Sequence, residues 1–258
     1  MRKLITTSML LAAVLGGCAG TPAATPAPAQ TAAEQLRPQV LGTLPHDTGA
    51  FTEGLEFSGD TLYESTGLVG RSSLRTGPAG ARPVGNAVLA PPLFGEGVTV
   101  LGPTLWQLTW QNGFAIERDS KTLAEKRRVA YQGEGWGLCH QPDGRLVMSN
   151  GSSKLTFRDP VSFAVTGEVS VGYDQLNELE CVGDTVYANV WQTDTILRID
   201  TTTGHVTGVI DASGLLSDSE RTGADVLNGI AAVPGTDEFL LTGKLWPKQF
   251  RVKFVPRS

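Results

Sequence analysis

LNELECVGDTVYANVWQTDTILRID, residues 176–200, holds three short apolar runs in succession. Asn177 and Glu178 open the first, Val186-Tyr187-Ala188-Asn189-Val190 forms the second, and ILRID at 196–200 forms a third that ends on an Asp. Runs of this length suit strands rather than helices. Four other segments align with it. Thr52-Glu53-Gly54-Leu55 runs into TLYESTG, Gly95-Glu96-Gly97-Val98 into TLWQLTW, Gly133-Glu134-Gly135-Trp136 into RLVMSNG, and Leu227-Asn228-Gly229-Ile230 into EFLLTGK. The anchors Glu53, Glu96, Glu134, Asn177 and Asn228 are 43, 38, 43 and 51 residues apart. That period is close to the roughly 40–50 residues of a four-stranded propeller blade.

Each repeat has the same grammar. A polar residue opens an apolar run, a turn such as Ser58-Gly59-Asp60 or Pro142-Asp143-Gly144 follows, and a second and third run come after it. The 31 glycines in 258 residues fit a chain of many short strands and tight turns. The expected fold is therefore all-β, a five-bladed β-propeller over residues 37–258. QVLGTLP at 39–45 is strand-like but lies outside the repeats. It is expected to complete the last blade beside Phe250 to Val255, because closing the ring removes an exposed sheet edge. Leu215 to Thr222 is expected to be a helical or loop insertion.

The start of the chain is a different kind of sequence. Arg2 and Lys3 precede a mostly apolar stretch, Leu4 to Leu15, too short to span a bilayer, and Leu15-Gly16-Gly17-Cys18 follows. This pattern predicts a lipoprotein signal peptide over 1–17 and a lipidated Cys18 as the mature N-terminus. Ala19, rather than Asp, points to the outer membrane of a bacterial cell envelope, facing the periplasm. Residues 18–36 are Ala, Pro, Thr and Gln with little else, a disordered tether by composition. In such a compartment Cys139 and Cys181 are free to form a disulfide; the alternative is two small buried hydrophobes. The net charge of −5 carries no basic nucleic-acid footprint. The membrane is expected to be touched only through the lipid, and the protein to be a monomer.

In a propeller the start of each first strand and the end of each second strand share one face. Glu53, Glu96, Glu134, Asn177 and Asn228 would then form one ring, and Glu64 to Thr66, Trp110, Asn150, Trp191 and Lys244 another, with Trp136 nearby. Carboxylates brought together raise one another's pKa, which suits proton transfer. Indoles wall out water and strengthen each remaining hydrogen bond. His46, His140 and His205 are too few and too scattered for a zinc hydrolase, and no spaced Ser/His/Asp set is evident. The Gly-rich stretches open strands rather than helices, which argues against phosphate loops.

HDTGAFTEGLEF at 46–57, YESTGLVGRSSLR at 63–75, FGEGVTVLGPTLWQLTW at 94–110, EGWGL at 134–138, the stretch 176–200, DVLNGIA at 225–231 and TGKLWP at 242–247 together resemble the plant-type glutaminyl cyclases. The resemblance implies a five-bladed propeller that converts the N-terminal glutamine of a peptide or protein into pyroglutamate, releasing ammonia. It implies Glu96 as the essential acid, with Phe51, Glu53, Phe94, Trp110, Trp136, Asn177, Trp191 and Lys244 lining the substrate pocket. Glu53 departs from the pattern, since plant members commonly carry Gln there. No cofactor is implied for catalysis; some members hold a structural calcium ion in the central channel, whose ligands the sequence does not place. The reaction is intramolecular, so the protein need only hold a compact conformer and move protons. One carboxylate, Glu96, can take the amine's proton and return it to the leaving nitrogen, in a space the flanking Gly95 and Gly97 leave open to the substrate. Lys244, Asn177 and the indole N–H groups of Trp110, Trp136 and Trp191 are candidate donors to the oxyanion. The main alternatives are a non-catalytic cell-surface propeller binding peptide or glycan, and a propeller lactonase or dehydrogenase that needs a metal or quinone.

Overall fold

The computed structural model describes residues 32–257. The signal segment 1–17, Cys18 and tether residues up to 31 lie outside the described residues. Among those described there are twenty strands in four sheets and no helix. Four meanders of four consecutive strands occupy residues 52–88, 95–130, 138–170 and 176–211. A fifth is built from Leu227–Ala232, Phe239–Gly243 and Lys248–Pro256, and its fourth strand is Glu34–Pro45 from the start of the chain. That strand pairs antiparallel with Lys248–Pro256, from Leu36↔Pro256 to Pro45↔Lys248. It also pairs parallel with Val206–Asp211 over Glu34 to Leu36, which joins the fourth and fifth meanders into one eight-stranded sheet.

Ordered structure thus begins three residues earlier than composition suggests. Residues 34–36 are strand because Leu36 is buried, 3% exposed, among Ile196, Ile210 and Val252. Burying one such side chain contributes about 1.5–3 kcal/mol. The segment 213–226 is a loop without helix or strand.

The core is divided among the junctions between neighbouring meanders. Tyr63 and Leu74 pack with Val98 and Leu105; Trp106 and Leu108 with Leu138, Leu146 and Phe163; Val147 and Leu155 with Leu176 and Val186. Ile196 and Ile210 pack with Ile230 and Phe250, and Leu240 and Ala231 with Leu55 and Leu62. The first strands follow the same cyclic order, each packing against the next, with Leu227–Ala232 returning to Thr52–Ser58.

These first strands approach backbone to backbone. A Cβ on Gly54 would sit 2.7 Å from Val98 N, and one on Gly97 2.6 Å from Leu138 N. The glycines after Glu53 and Glu96 therefore make room for the neighbouring strand, not for a substrate. A Cβ on Gly95 would likewise meet the Thr66 carbonyl oxygen at 2.8 Å. Where the fourth meander has Glu178 instead of Gly, its side chain crosses to two other strands. Oε1 accepts from the Leu55 N–H at 3.2 Å and Oε2 from the Ile230 N–H at 2.8 Å. A disulfide between Cys139 and Cys181 joins the third and fourth first strands, with Cα atoms 5.5 Å apart.

Candidate active site

Four of the first strands carry a β-bulge at one position. The pairing shifts between Thr52 and Gly54, Gly95 and Val98, Leu176 and Leu179, and Leu227 and Ile230. The bulges fall on Glu53, Glu96, Asn177 and Asn228. A bulge re-aims a side chain out of the regular alternation, so these four are turned toward the end of the sheets.

The third meander differs from the alignment read in the sequence. Leu138 pairs with Met148 as Val98 pairs with Gln107 and Leu179 with Ala188. Counting back two residues, the counterpart of Glu96 is Trp136. Glu134 is not a member of the ring; it lies outside the strand Leu138–His140. The cause is packing: Leu138, 1% exposed, fills the interior position that Leu55, Val98, Leu179 and Ile230 fill elsewhere.

One cavity of about 370 Å³ is lined by Phe51, Glu53, Phe94, Glu96, Trp110, Trp136, Asn177, Trp191 and Lys244, together with Leu68, Gln192, Asp225 and Val226. Its size lies within the roughly 300–1,000 Å³ of small-molecule sites. Asn150 is exposed and bonds Ser152 instead. Glu64 accepts from Thr52 Oγ1 and pairs with His46, and lines a separate cleft. Leu68 and Gln192 have φ of 78° and 62°, and follow the ends of second strands. Both lie inside stretches quoted above, 63–75 and 176–200; their position just after Gly67 and Trp191, at the same end of the sheets, is the signal that could have found them.

The walls are aromatic. Phe51 meets Phe94 edge-on at 6.3 Å, and Phe94 meets Trp110 at 5.5 Å. Trp136 meets Trp191 edge-on at 5.6 Å. A Cβ on Gly67 would lie 2.4 Å from the Phe94 ring, so that residue's lack of a side chain lets the ring reach the cavity.

At the cavity floor Lys244 Nζ donates to Glu53 Oε1 at 2.7 Å and lies 4.7 Å from the Phe51 ring centre. Asn228 Nδ2 donates to Glu53 Oε2 at 3.3 Å. Burial pushes Glu53 up to about 7, with Lys244 opposing the shift. Burial, and then the negative charge of Glu53, push Glu96 well above the ordinary carboxylate range, again against Lys244. Glu96 Oε2 and Asn177 Oδ1 are buried in the wall without a hydrogen-bond partner. Glu96 also shares a side-chain hydrogen bond with Glu53, so a proton is held between the two carboxyl groups. Trp110 Nε1 and Trp136 Nε1 both donate to Glu134 Oε2, at 2.8 and 2.9 Å. Those two indoles are therefore not oxyanion donors. Among the described residues the Trp191 indole N–H has no protein partner, and it remains available with Lys244.

Three further buried carboxyl groups on first strands, Glu56, Glu178 and Glu180, reach across to neighbouring strands. Each is bound to backbone N–H: Glu56 to Val100 at 2.9 Å, Glu178 to Leu55 and Ile230, Glu180 to Ala232. A calcium ion takes six to eight oxygen ligands. Among the described residues no group of three or more His, Cys, Asp or Glu is arranged to hold a metal. Glu178 has both oxygens on amides, while Glu56 and Glu180 have one amide partner each.

The family model for glutamine cyclotransferase matches residues 9–254. A glutaminyl-peptide cyclotransferase of Arabidopsis thaliana is 40% identical over 238 residues, covering 85% of this chain and 72% of the relative. The crystal structure of Myxococcus xanthus glutaminyl cyclase is 38% identical with a TM-score of 0.78, covering 88% of this chain and 100% of that one. Hydrazine synthase of Kuenenia stuttgartiensis, 16% identical with a TM-score of 0.50 over 77% of this chain and 56% of that one, shares no more than the fold. A match across nearly the whole sequence, with two relatives near 40% identity, means that this chain belongs to the glutamine cyclotransferase family.

Proposed function

We propose that this glutaminyl-peptide cyclotransferase closes the pyroglutamate ring with Glu96 as a single proton shuttle. The substrate is a peptide or protein with N-terminal Gln. The α-nitrogen forms a bond to the side-chain amide carbon, and the bond from that carbon to the amide nitrogen breaks. Glu96 takes the proton from the α-nitrogen and returns one to the leaving nitrogen, which departs as ammonia. The observation that carries this is the place of Glu96 in the cavity wall beside Glu53, with which it shares a side-chain hydrogen bond and hence a proton. Burial and the nearby Glu53 charge raise Glu96, which narrows its gap to the α-amine and so favours proton transfer. Lys244 Nζ and Trp191 Nε1 stabilise the oxygen of the tetrahedral intermediate. Phe51, Phe94, Trp110 and Trp136 enclose the glutamine side chain. Asn177 Oδ1 accepts from its amide, and Glu53 anchors Lys244.

The cyclic order of first strands and shared cores supports a closed five-bladed propeller. Catalysis needs proton transfer and a cationic donor, so activity is expected to survive dialysis against a metal chelator; loss that zinc alone restores would count against this. The protein is proposed to act as a monomer held in the cell envelope by a lipid on Cys18. Cys18→Ala should release it from membranes, and unchanged membrane fractionation would remove that element. The activity itself is tested by mass spectrometry of a Gln-initiated peptide incubated with purified protein. A mass loss of one ammonia is expected, and an unmodified peptide at long incubation would refute the reading.

A further inference from the structure

We infer that Glu134 is a positioning residue of this active site, the joint that fixes two halves of its aromatic wall through the indole N–H groups of Trp110 and Trp136. The inference rests on the site proposed above but adds a residue that touches no substrate. Glu134 Oε2 accepts from both indoles at 2.8 and 2.9 Å, and Oε1 accepts from Gln111 Nε2 at 2.8 Å. Trp110 belongs to the second meander and carries Phe94 and, through it, Phe51. Trp136 belongs to the third and carries Trp191. The backbone holds the joint in place, since the Gly135 N–H donates to the Trp110 carbonyl at 3.1 Å.

The chemistry of the joint requires a carboxylate. Two N–H donors on one oxygen and a third on the other need an acceptor-only group, and hydrogen bonds to an ionised acceptor are stronger than neutral ones. Burial would push Glu134 up, but the bonds from Gln111, Trp136 and Trp110 outweigh it and hold the group below its ordinary value. With their N–H edges pinned outward, both indoles offer the cavity apolar surface and no donor. That leaves Trp191 and Lys244 to meet the oxyanion and keeps the glutamine side chain from a competing hydrogen bond.

The test has two arms. In the wild-type protein, the five indole N–H protons are followed by NMR from neutral pH to about pH 3, an acid limit set below the ordinary Glu value. Trp106 and Trp246 bond backbone carbonyls, so the signals of Trp110 and Trp136 should move together with a single titration below 4.5. Absence of a shared transition overturns the joint, and this arm does not depend on turnover. In the second arm Glu134→Gln is expected to lower kcat by about 10²-fold, the scale of a misplaced site, with KM changing less. Most of that loss should vanish when the substitution is made in a Trp110→Phe/Trp136→Phe background, which already lacks the donors. An equal loss in both backgrounds, or a loss confined to KM, refutes a positioning role. If Glu134→Gln does not fold, the wild-type titration decides alone. Inactivity of wild type toward Gln peptides would sink the proposed reaction while leaving the indole titration intact, so the two failures are distinguishable.

Discussion

Replacing Lys244 by Met keeps the length of the side chain and removes its charge. In the wild-type protein Lys244 Nζ is 2.7 Å from Glu53 Oε1, and the two side chains are 7% and 2% exposed. Removing one partner of a buried pair costs about 3–5 kcal/mol, because the other charge is left uncompensated. Glu53 can escape that cost only by holding a proton. It does so below about 7 even with Lys244 present, against an ordinary value of 4.5. A group with a raised folded pKa favours the folded state at low pH, and that contribution is lost as pH rises from the unfolded to the folded value. Without Lys244 the folded pKa of Glu53 rises further, so its contribution keeps falling above pH 7, where in the wild type it has ended, at about 1.4 kcal/mol per unit. The remaining charged groups that face Glu53, namely Glu96, Asp225 and Glu178, are the same in both proteins. Denaturant unfolding at a series of pH values should therefore show a small difference near pH 6, of about 1 kcal/mol from lost contact with the Phe51 ring. The difference should widen to about 3–5 kcal/mol by pH 9, and Lys244→Met/Glu53→Gln should regain most of it. A difference that does not change with pH, or a double variant no better than the single one, would refute the reasoning.

Opening the Cys139–Cys181 disulfide frees a loop of 42 residues, worth about 4 kcal/mol by loop-closure entropy; reductant or Cys139→Ser/Cys181→Ser should lower the denaturant midpoint accordingly, and an unchanged midpoint would show that the bond constrains nothing. Burial raises Glu56 from 4.5 to about 8, and Glu178 and Glu180 are raised well above the ordinary range for the same reason. The folded state then holds protons that the unfolded chain releases, so Tm should fall as pH rises from about 4.5 to 8. Glu56→Gln should flatten that slope; a slope left as steep as in the wild type would mean that Glu56 is ionised throughout.

Much of the fold was legible because each repeat obeys the same packing rule. An interior Leu, Ile or Val follows two residues after each bulged position, and strand-like runs lie between turns. The return of residues 39–45 to the last meander followed from the cost of a bare sheet edge, and the strand Glu34–Pro45 does pair with Lys248–Pro256. What misled was likeness of letters. GEGV at 95–98 and GEGW at 133–136 look equivalent, but the interior position is filled by Leu138, and the packed equivalent of Glu96-Gly97-Val98 is Trp136-Gly137-Leu138. Glu178, Glu56 and Glu180 were passed over because a carboxyl that binds amides across a strand junction leaves no local pattern. Leu68 and Gln192 were passed over for a related reason: each reaches the cavity through a positive φ, which a single sequence does not announce for a non-glycine residue. The commitment of two indole N–H groups to Glu134 depends on side-chain directions from two meanders and could not be read from spacing.

The central claim is that Glu96 moves the proton, and the direct measurement is single-turnover ammonia release from a Gln-initiated peptide by Glu96→Gln. The side chain keeps its shape and loses its acid–base function. A general acid–base residue contributes about 10²- to 10⁴-fold in rate. The account predicts a fall of that size in the single-turnover rate constant, with the fold and substrate affinity retained and a smaller loss for Glu53→Gln. Near-native turnover by Glu96→Gln would contradict it.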